Sequence, residues 1–327
     1  MTTDNSNHAP VLPVAQMNLV KPKEPVIGTV VSNDKCMKGK SNSFVRHTEI
    51  DISGTPLEGN FLAGQSFGVV APGVDENGKP HKVRLYSIAC PTWGEDGEGK
   101  VVSTTPKRLI EERYPQKDGD DPGDHSLFVG VCSNYLCDLQ PGDKVQITGP
   151  NGKRFVLPAD PSAHDYLFVA TGTGIAPFRG FVLELLENAK GKCESDIHLI
   201  MGTPYTTDLL YDDLFCEMAQ KHENFHYYTA ISRERRPDGS RGIYVDKVFE
   251  EQIDTFRPLL ENSRTLMYQC GLEGMQHNIF RNMQSLGVGE PYFTIKEELQ
   301  DMDPWDWPND KLKRHLRPTA RCTLEVY

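Results

Sequence analysis

A change of periodicity near residue 160 constrains this chain more than any other feature. From Val26 to about Leu157 the sequence breaks into short β-type runs separated by turn residues: VIGTVVSND, SFVRHTEIDI, SFGVVAPG, VRLYSIAC, KVVSTT, HSLFVGV and DKVQITGP. Strands this short and evenly spaced predict a closed antiparallel barrel. After PADPSAHD (residues 158–165) the pattern becomes strand then helix: YLFVA, the turn TGTG, then APFRGFVLELLENA, opened by Pro177, whose missing N–H costs nothing in a first turn. The unit recurs as DIHLIMG with LLYDDLFCEMAQKH, FHYYTAIS with YVDKVFEEQI, and TLMYQCG with EGMQHNIFRNMQSLG, and the chain ends in CTLEVY. Repeated strand–helix units predict a parallel sheet covered by helices. The 327 residues give room for two cores. The expected plan is β + α/β: a flexible arm at 1–24, an antiparallel β-barrel domain at 25–158 and a Rossmann-like parallel-sheet domain at 164–327. Two polar stretches, Gly94 to Gly99 and Gln116 to His125, read as surface loops.

Charge and cysteine content narrow the function. A formal net charge of -11 argues against nucleic-acid binding through phosphate neutralisation. Locally the balance reverses, because Lys21, Lys23, Lys35, Lys38, Lys40 and Arg46 face only Glu24 and Asp34, and Lys311 to Arg321 holds no carboxylate. Such segments suit an acidic partner, or are ordinary solvated faces. No run of about 18 apolar residues exists, so no integral membrane segment is expected. The first 25 residues lack a secretory pattern, and a cytoplasmic location follows as an expectation. The eight cysteines are too scattered for a zinc knuckle. Cys132 and Cys137 have the opening spacing of an iron–sulfur site, but the next cysteine it needs is missing, so free thiols and no bound metal are expected.

Three short segments can carry chemistry. Thr171-Gly172-Thr173-Gly174 lets a backbone approach a diphosphate at a helix N-terminus, although it lacks the Walker lysine and the full dinucleotide fingerprint and also suits a purely structural turn. In Arg84-Leu85-Tyr86-Ser87, strand alternation puts Arg84 and Tyr86 on one face and Leu85 and Ser87 on the other. A charge–aromatic pair on an exposed strand face is the plain alternative. Gly130-Val131-Cys132-Ser133-Asn134 marks a strand end passing into a helix, with N–H groups free for an anion.

Taken together, RLYSIAC, GVCSNYLCDLQPGD, KVQITGP, ATGTGIAPFRGF, MGTPYTTDLLY, AISRE, CGLEGM and the terminal LEVY resemble the plant and cyanobacterial (plastidic-type) ferredoxin–NADP reductases, in order from about residue 26 to Tyr327. The resemblance implies an FAD-binding barrel followed by an NADP-binding domain. It implies hydride exchange between NADP(H) and FAD joined to one-electron transfer with an acidic ferredoxin or flavodoxin. Carried over by position, Arg84 and Ser133 hold the FAD pyrophosphate, Tyr86 packs on the flavin and ribityl region, and Leu85, Val131 and Cys132 complete that site. Ser87 falls near flavin N5, Cys270 beside the nicotinamide, Glu325 at the acid–base position, and Tyr327 over the flavin face. Thr171, Gly172, Thr173, Gly174, Gly271 and Leu272 fall along the coenzyme, while Ser232, Arg233 and Tyr244 take its 2'-phosphate and adenine. Lys107 supports either the coenzyme or the protein partner.

Several positions depart from the family pattern. The lysine two residues before the phosphate tyrosine is Gly242, with Arg241 beside it as a substitute, and the glutamine two residues after is Asp246, which repels a phosphate if it points inward. The tyrosine expected to stack on the FAD adenine is Glu111, with Tyr114 as an alternative. Two other functions stay open on sequence alone: the NADPH-dependent flavin reductase component of an oxygenase system, and a flavin- or nucleotide-binding module without turnover, against which the terminal Glu325 and Tyr327 argue.

Overall fold

Alternation of buried and exposed side chains drives the first half of the chain into strands. The computed structural model describes residues 9–41, 43–113, 121, 123–188 and 193–326. Strands β1 (Val26–Lys35), β2 (Arg46–Asp51), β3 (Ser66–Val70), β4 (Arg84–Ser87) and β5 (Val101–Thr104) are followed by the short hairpin β6 (Ile110–Glu112) and β7 (Leu127–Val129), helix α1 (Val131–Asp138) and strand β8 (Lys144–Asn151). Six of these strands form one antiparallel sheet, ordered β4-β3-β8-β1-β2-β5. Its two edges meet where Ile88 bridges Thr104 and the Ala89 N–H donates to Ser103 O at 2.9 Å, which closes the barrel. Val30, Ile50, Phe67, Val69, Ile88, Val102, Val145 and Ile147 fill it. Leu136 of α1 is fully buried against them, and the buried Asn33 side chain donates to the Leu136 and Leu139 carbonyls at 2.9 and 2.8 Å, satisfying the last turn of that helix. The run HSLFVGV, expected in the barrel, instead pairs with Ile110–Glu112 outside it. The partner strand, two-thirds glutamate, carries no apolar alternation to read.

In the second half, β9 (Asp165–Thr171), α2 (Ala176–Leu186), β10 (Ile197–Thr203), α3 (Asp212–Lys221), β11 (Phe225–Ile231), α4 (Val245–Glu251), α5 (Ile253–Glu261), β12 (Thr265–Gly271) and α6 (Glu273–Ser285) follow in turn. The chain then runs through β13 (Phe293–Ile295), α7 (Glu297–Gln300), α8 (Asn309–His315) and β14 (Leu316–Pro318) to β15 (Cys322–Val326). The parallel sheet is ordered β11-β10-β9-β12-β15, so strand order reverses between β9 and β12, where such sheets open a crevice for nucleotides. Buried on both faces, β9, β10 and β12 read as near-continuous apolar runs, interrupted by buried His198 and Gln269. Helix α5 follows α4 directly and was not visible as a separate element in the sequence.

The two domains dock through an aromatic layer and a buried ion cluster. Phe155, after β8, stacks on Phe181 of α2 with ring centroids 5.7 Å apart, and the Tyr268 hydroxyl donates to Val156 O at 2.9 Å. Beside this layer the Arg179 guanidinium donates to Glu95 at 2.5 and 3.1 Å and to Ala89 O at 2.9 Å, and lies over the Tyr211 ring. The Tyr211 hydroxyl meets Thr105 Oγ1 at 2.6 Å and His47 Nδ1 at 2.8 Å, while His47 Nε2 faces Glu95 at 3.3 Å. Burial opposes a charged Glu95, yet His47 and Arg179 hold its carboxyl down to about 2. The stretch Gly94 to Gly99 is therefore not simply a surface loop: its Glu95 turns inward to lock the domains. The expected loop Gln116 to His125 falls mostly outside the described residues.

The expected flexible arm is corrected over its described part. The N–H groups of Asn18 and Val20 donate to Pro150 O and Gly149 O at 2.8 and 2.9 Å, the Ala159 N–H donates to Val11 O at 2.8 Å, and Val20 is buried in the barrel core. Polar composition hid this because backbone groups, rather than side chains, make the bonds.

Candidate functional site

Barrel strand β4 presents its first residues to an open cavity of about 970 Å³, lined among others by Lys82, Arg84, Tyr86, Phe128, Gly130 and Ser133. Arg84 is exposed and has no hydrogen-bond or ion-pair partner among the described residues. Opposite it, α1 begins without a side-chain cap, so its first N–H groups and the Ser133 hydroxyl stand on the same wall. Guanidinium, helix N-terminus and hydroxyl converge as a diphosphate requires. Tyr86 is half-buried against the barrel core, and burial raises its hydroxyl pKa. Leu85, Val131 and Cys132 line the same cavity, as expected. Phe128, 44% exposed on β7 directly opposite Glu111, also lines it. Sequence reasoning missed this ring, having looked for a stacking residue at Glu111 itself and at Tyr114, which lies outside the described residues.

At the far end of β4, Ser87 lies beside the Glu325 carboxyl, near enough to lower its pKa. Parallel pairing of β12 and β15 sets Cys270 directly beside Glu325, so Ser87, Cys270 and Glu325 gather from three strands of two domains. Burial pushes the Glu325 carboxyl up to about 7, with the neighbouring Ser87 resisting. Burial, then the Glu325 charge, keeps the Cys270 thiol protonated. Tyr327 lies outside the described residues.

A second cavity of about 290 Å³ opens at the carboxyl edge of the parallel sheet, between Thr171, Gly172 and Thr173 after β9 and Ser232, Arg233 and Tyr244 after β11. Leu272 lines it from beyond β12, and Lys107 lines it from the barrel. Gly174 packs so tightly on β12 that a Cβ would lie 2.1 Å from Cys270 O, which fixes the turn against the Cys270–Gly271 backbone. The arginines of Ser232-Arg233-Glu234-Arg235-Arg236 divide by role. Arg236 binds Glu251 at 2.8 and 3.0 Å, Arg235 donates to Gly239 O, and Glu234 holds the Thr206 N–H and hydroxyl. Arg233 alone of the three has no side-chain partner among the described residues.

The departures noted in the sequence acquire physical reasons. Gly242 passes beneath this loop, and a Cβ there would meet Ile231 O at 2.4 Å and Glu234 O at 2.5 Å, so no lysine fits. Exposed Arg241 stands next to it. Asp246 does not line the cavity: Asn278 of α6 lies beside its side chain, its carbonyl accepts from Asn282 at 2.8 Å, and burial raises its carboxyl pKa.

Residues 168–280 match the oxidoreductase NAD-binding domain family. With a cavity on the barrel lined by Arg84 and Ser133 and a second at the carboxyl edge of the parallel sheet, the molecule is a two-domain oxidoreductase. A ferredoxin–NADP reductase of Thermosynechococcus vestitus is 40% identical over 95% of this chain and 75% of its own length. The chloroplastic leaf isozyme 1 of the same enzyme from Arabidopsis thaliana is 36% identical over 94% of this chain and 85% of its own, and the ferredoxin–NADP reductase of a Spirulina species 39% over 95% and 98%. The chain belongs to the ferredoxin–NADP reductase family. The solved ferredoxin–NADP+ reductase of Plasmodium falciparum shares the fold, with a TM-score of 0.66 at 22% identity over 95% of this chain and 99% of that one. No helix among the described residues is long and apolar enough to cross a membrane.

Proposed function

We propose that this chain is an FAD-dependent ferredoxin–NADP reductase, exchanging hydride between NADP(H) and FAD and single electrons with an acidic ferredoxin or flavodoxin. The observation carrying this reading is an unpaired arginine in each of two cavities, Arg84 and Arg233, with Ser87, Cys270 and Glu325 gathered where the barrel meets the parallel sheet. A flavin is suited to the task because it exchanges electrons in pairs with a nicotinamide and singly with a protein carrier.

The chain's own residues do the binding and positioning. Arg84, Ser133 and the first N–H groups of α1 hold the FAD diphosphate, Tyr86 walls the ring system, and Phe128 offers the adenine a stacking face in place of the family tyrosine. Arg84→Ala is therefore expected to be purified largely without flavin, whereas the parent is yellow with one FAD per chain. Absorbance at the flavin band relative to protein checks this, and equal flavin retention rejects the site. The Glu325 carboxyl, poised near neutrality, holds or releases a proton toward Ser87 Oγ. Cys270, kept as a thiol, shapes the contact rather than attacking. Tyr327 is assigned to the flavin face by the family resemblance alone.

Ser232, Arg233, Arg241 and Tyr244 take the 2'-phosphate, and no carboxylate is among the described residues lining that cavity. Losing one charge-assisted contact costs about 1.5–3 kcal/mol, or roughly 10- to 150-fold. Arg233→Ala should lose that factor in kcat/KM for NADPH and keep its value for NADH. Steady-state kinetics with both coenzymes decide it: an unchanged NADPH efficiency removes Arg233 from the site.

The partner surface is narrower than composition implied. Lys38 is paired with Asp212 and Asp213, and Arg321 donates to the Thr265 and Asn262 carbonyls, so neither is free for docking. Lys35, Arg46 and Arg108 surround the Phe44 ring at 4.7–5.8 Å, but Arg46 donates to Asn33 O at 2.8 Å and Arg108 pairs with Asp138, which leaves Lys35 as the uncommitted cation of that group. All eight cysteines are free thiols, which fits the reducing cytoplasm we assign to the protein.

A further inference from the structure

Parallel strands β10 and β11 are in register with His198 directly opposite His226, at the amino-terminal ends of both strands. Their imidazole rings stack at 4.5 Å, and both Nε2 atoms point at one carboxylate oxygen, Asp196 Oδ1, each at 3.2 Å. The three ligand atoms all lie within 4.8 Å of one another. We propose that Asp196, His198 and His226 form a binding site for a divalent transition-metal ion of the zinc class, separate from the redox centre.

The distances fit a shared ion. Charge-assisted hydrogen bonds are usually about 2.7–2.9 Å long, so 3.2 Å to both rings is a loose fit for a carboxylate bridging two imidazoles. Tetrahedral zinc with bonds of about 2.0–2.1 Å places its ligand atoms roughly 3.3 Å apart. The ligands are also oriented in advance. His198 is buried, and its Nδ1 meets the Tyr228 hydroxyl at 3.3 Å, which leaves Nε2 for the ion. Asp196 is pinned by its backbone, accepting from Tyr166 N and donating to Asp165 Oδ1 at 2.8 and 3.0 Å. Asp196 and His226 are about half exposed, so water completes the fourth position and the ion has a path in.

The other cluster of similar composition, His47 with Glu49 and Glu95, makes a useful contrast. There Arg179 already sits on Glu95 and Tyr211 holds His47 Nδ1, so a cation is built into the protein. Among the described residues, no guanidinium or ammonium occupies the position between Asp196 and the two histidines. The site lies at the sheet edge opposite the nucleotide crevice, five residues and roughly 17 Å of strand from Thr203. An ion there joins β10 to β11 and acts on stability rather than on electron transfer.

The test is isothermal titration of chelator-treated, FAD-loaded protein with zinc chloride, in a Cys216→Ser background that removes the exposed thiol. The parent is expected to bind one zinc per chain in the micromolar range or tighter, and zinc is expected to raise its Tm. His226→Ala and the near-isosteric Asp196→Asn should each weaken binding at least about tenfold and lose the Tm response. Asp196→Asn keeps the test decisive if the alanine variant does not fold. Equal zinc affinity in parent and variants, or no saturable binding by the parent, overturns the proposal.

Discussion

Arg179→Ala should be the most destabilising single substitution in the domain interface, with a loss of about 3–5 kcal/mol because it leaves Glu95 buried beside an empty position. Arg179 is nearly inaccessible and donates to Glu95 and Ala89 while covering Tyr211. The sign of the pH response follows from the two titrating partners. Glu95 has a depressed pKa, so its contribution is complete above the ordinary value near 4.5 and is lost as pH falls through about 2. His47 moves the other way: burial lowers its pKa, but the bonds to Glu49 and Glu95 outweigh this and raise it. Its contribution is complete below the ordinary value of 6.5 and fades as pH rises through the higher folded value. Both are fully present between roughly pH 4.5 and 6.5, where this cluster holds the domains most firmly. Thermal unfolding of parent and Arg179→Ala from pH 3 to 9 should show the variant with lower Tm throughout and its acid limit moved upward. A Tm equal to the parent's would mean the cluster contributes nothing net.

Glu325→Gln is expected to have opposite effects on rate and on stability. General acid–base groups contribute about 10²–10⁴-fold, so reduction of a one-electron acceptor by NADPH should fall by a factor in that range. The parent's rate should change across pH 7, where the carboxyl titrates, and the variant's profile should lose that inflection. Because folding raises this pKa from its ordinary 4.5, the carboxylate form is disfavoured in the folded chain, and stability declines as pH rises from about 4.5 to 7. The neutral amide removes that penalty, so the variant should be more stable than the parent at pH 8 by an amount on the order of 1–2 kcal/mol. Stopped-flow rates and Tm values at pH 6 and 8 measure both. A variant that is slower and also less stable at pH 8 would mark Glu325 as a packing residue.

The parts legible in the sequence were those governed by local period. Alternation in VIGTVVSND or DKVQITGP, and near-continuous apolar runs such as YLFVA and TLMYQC, reported strands because burial on one face or on two leaves a different spacing. The resemblance placed Arg84, Ser87, Ser232 and Arg233 without geometry. What stayed hidden depends on contacts between distant residues. Glu95 reads as one more polar loop residue until Arg179, 84 positions on, turns out to be its partner. Phe128 was read as part of a barrel strand, HSLFVGV, whereas hairpin pairing with Glu111 sets it outside the barrel sheet, over the cavity lined by Arg84. Gly242 looked like a lost phosphate ligand, and only the carbonyls packed above it explain why a side chain is excluded.

Lys107 stands on the barrel, yet it faces the same crevice as Arg233 and Tyr244 of the other domain. A nucleotide held by both is thus a cross-link as well as a reactant, and by linkage its binding free energy adds to the docking of one domain on the other. With NADP(H) bound there as proposed, coenzyme and interface would reinforce each other reciprocally: loosening the Arg179–Glu95 contact would weaken the grip on NADP(H), and a saturated crevice would make the two domains melt as one cooperative unit.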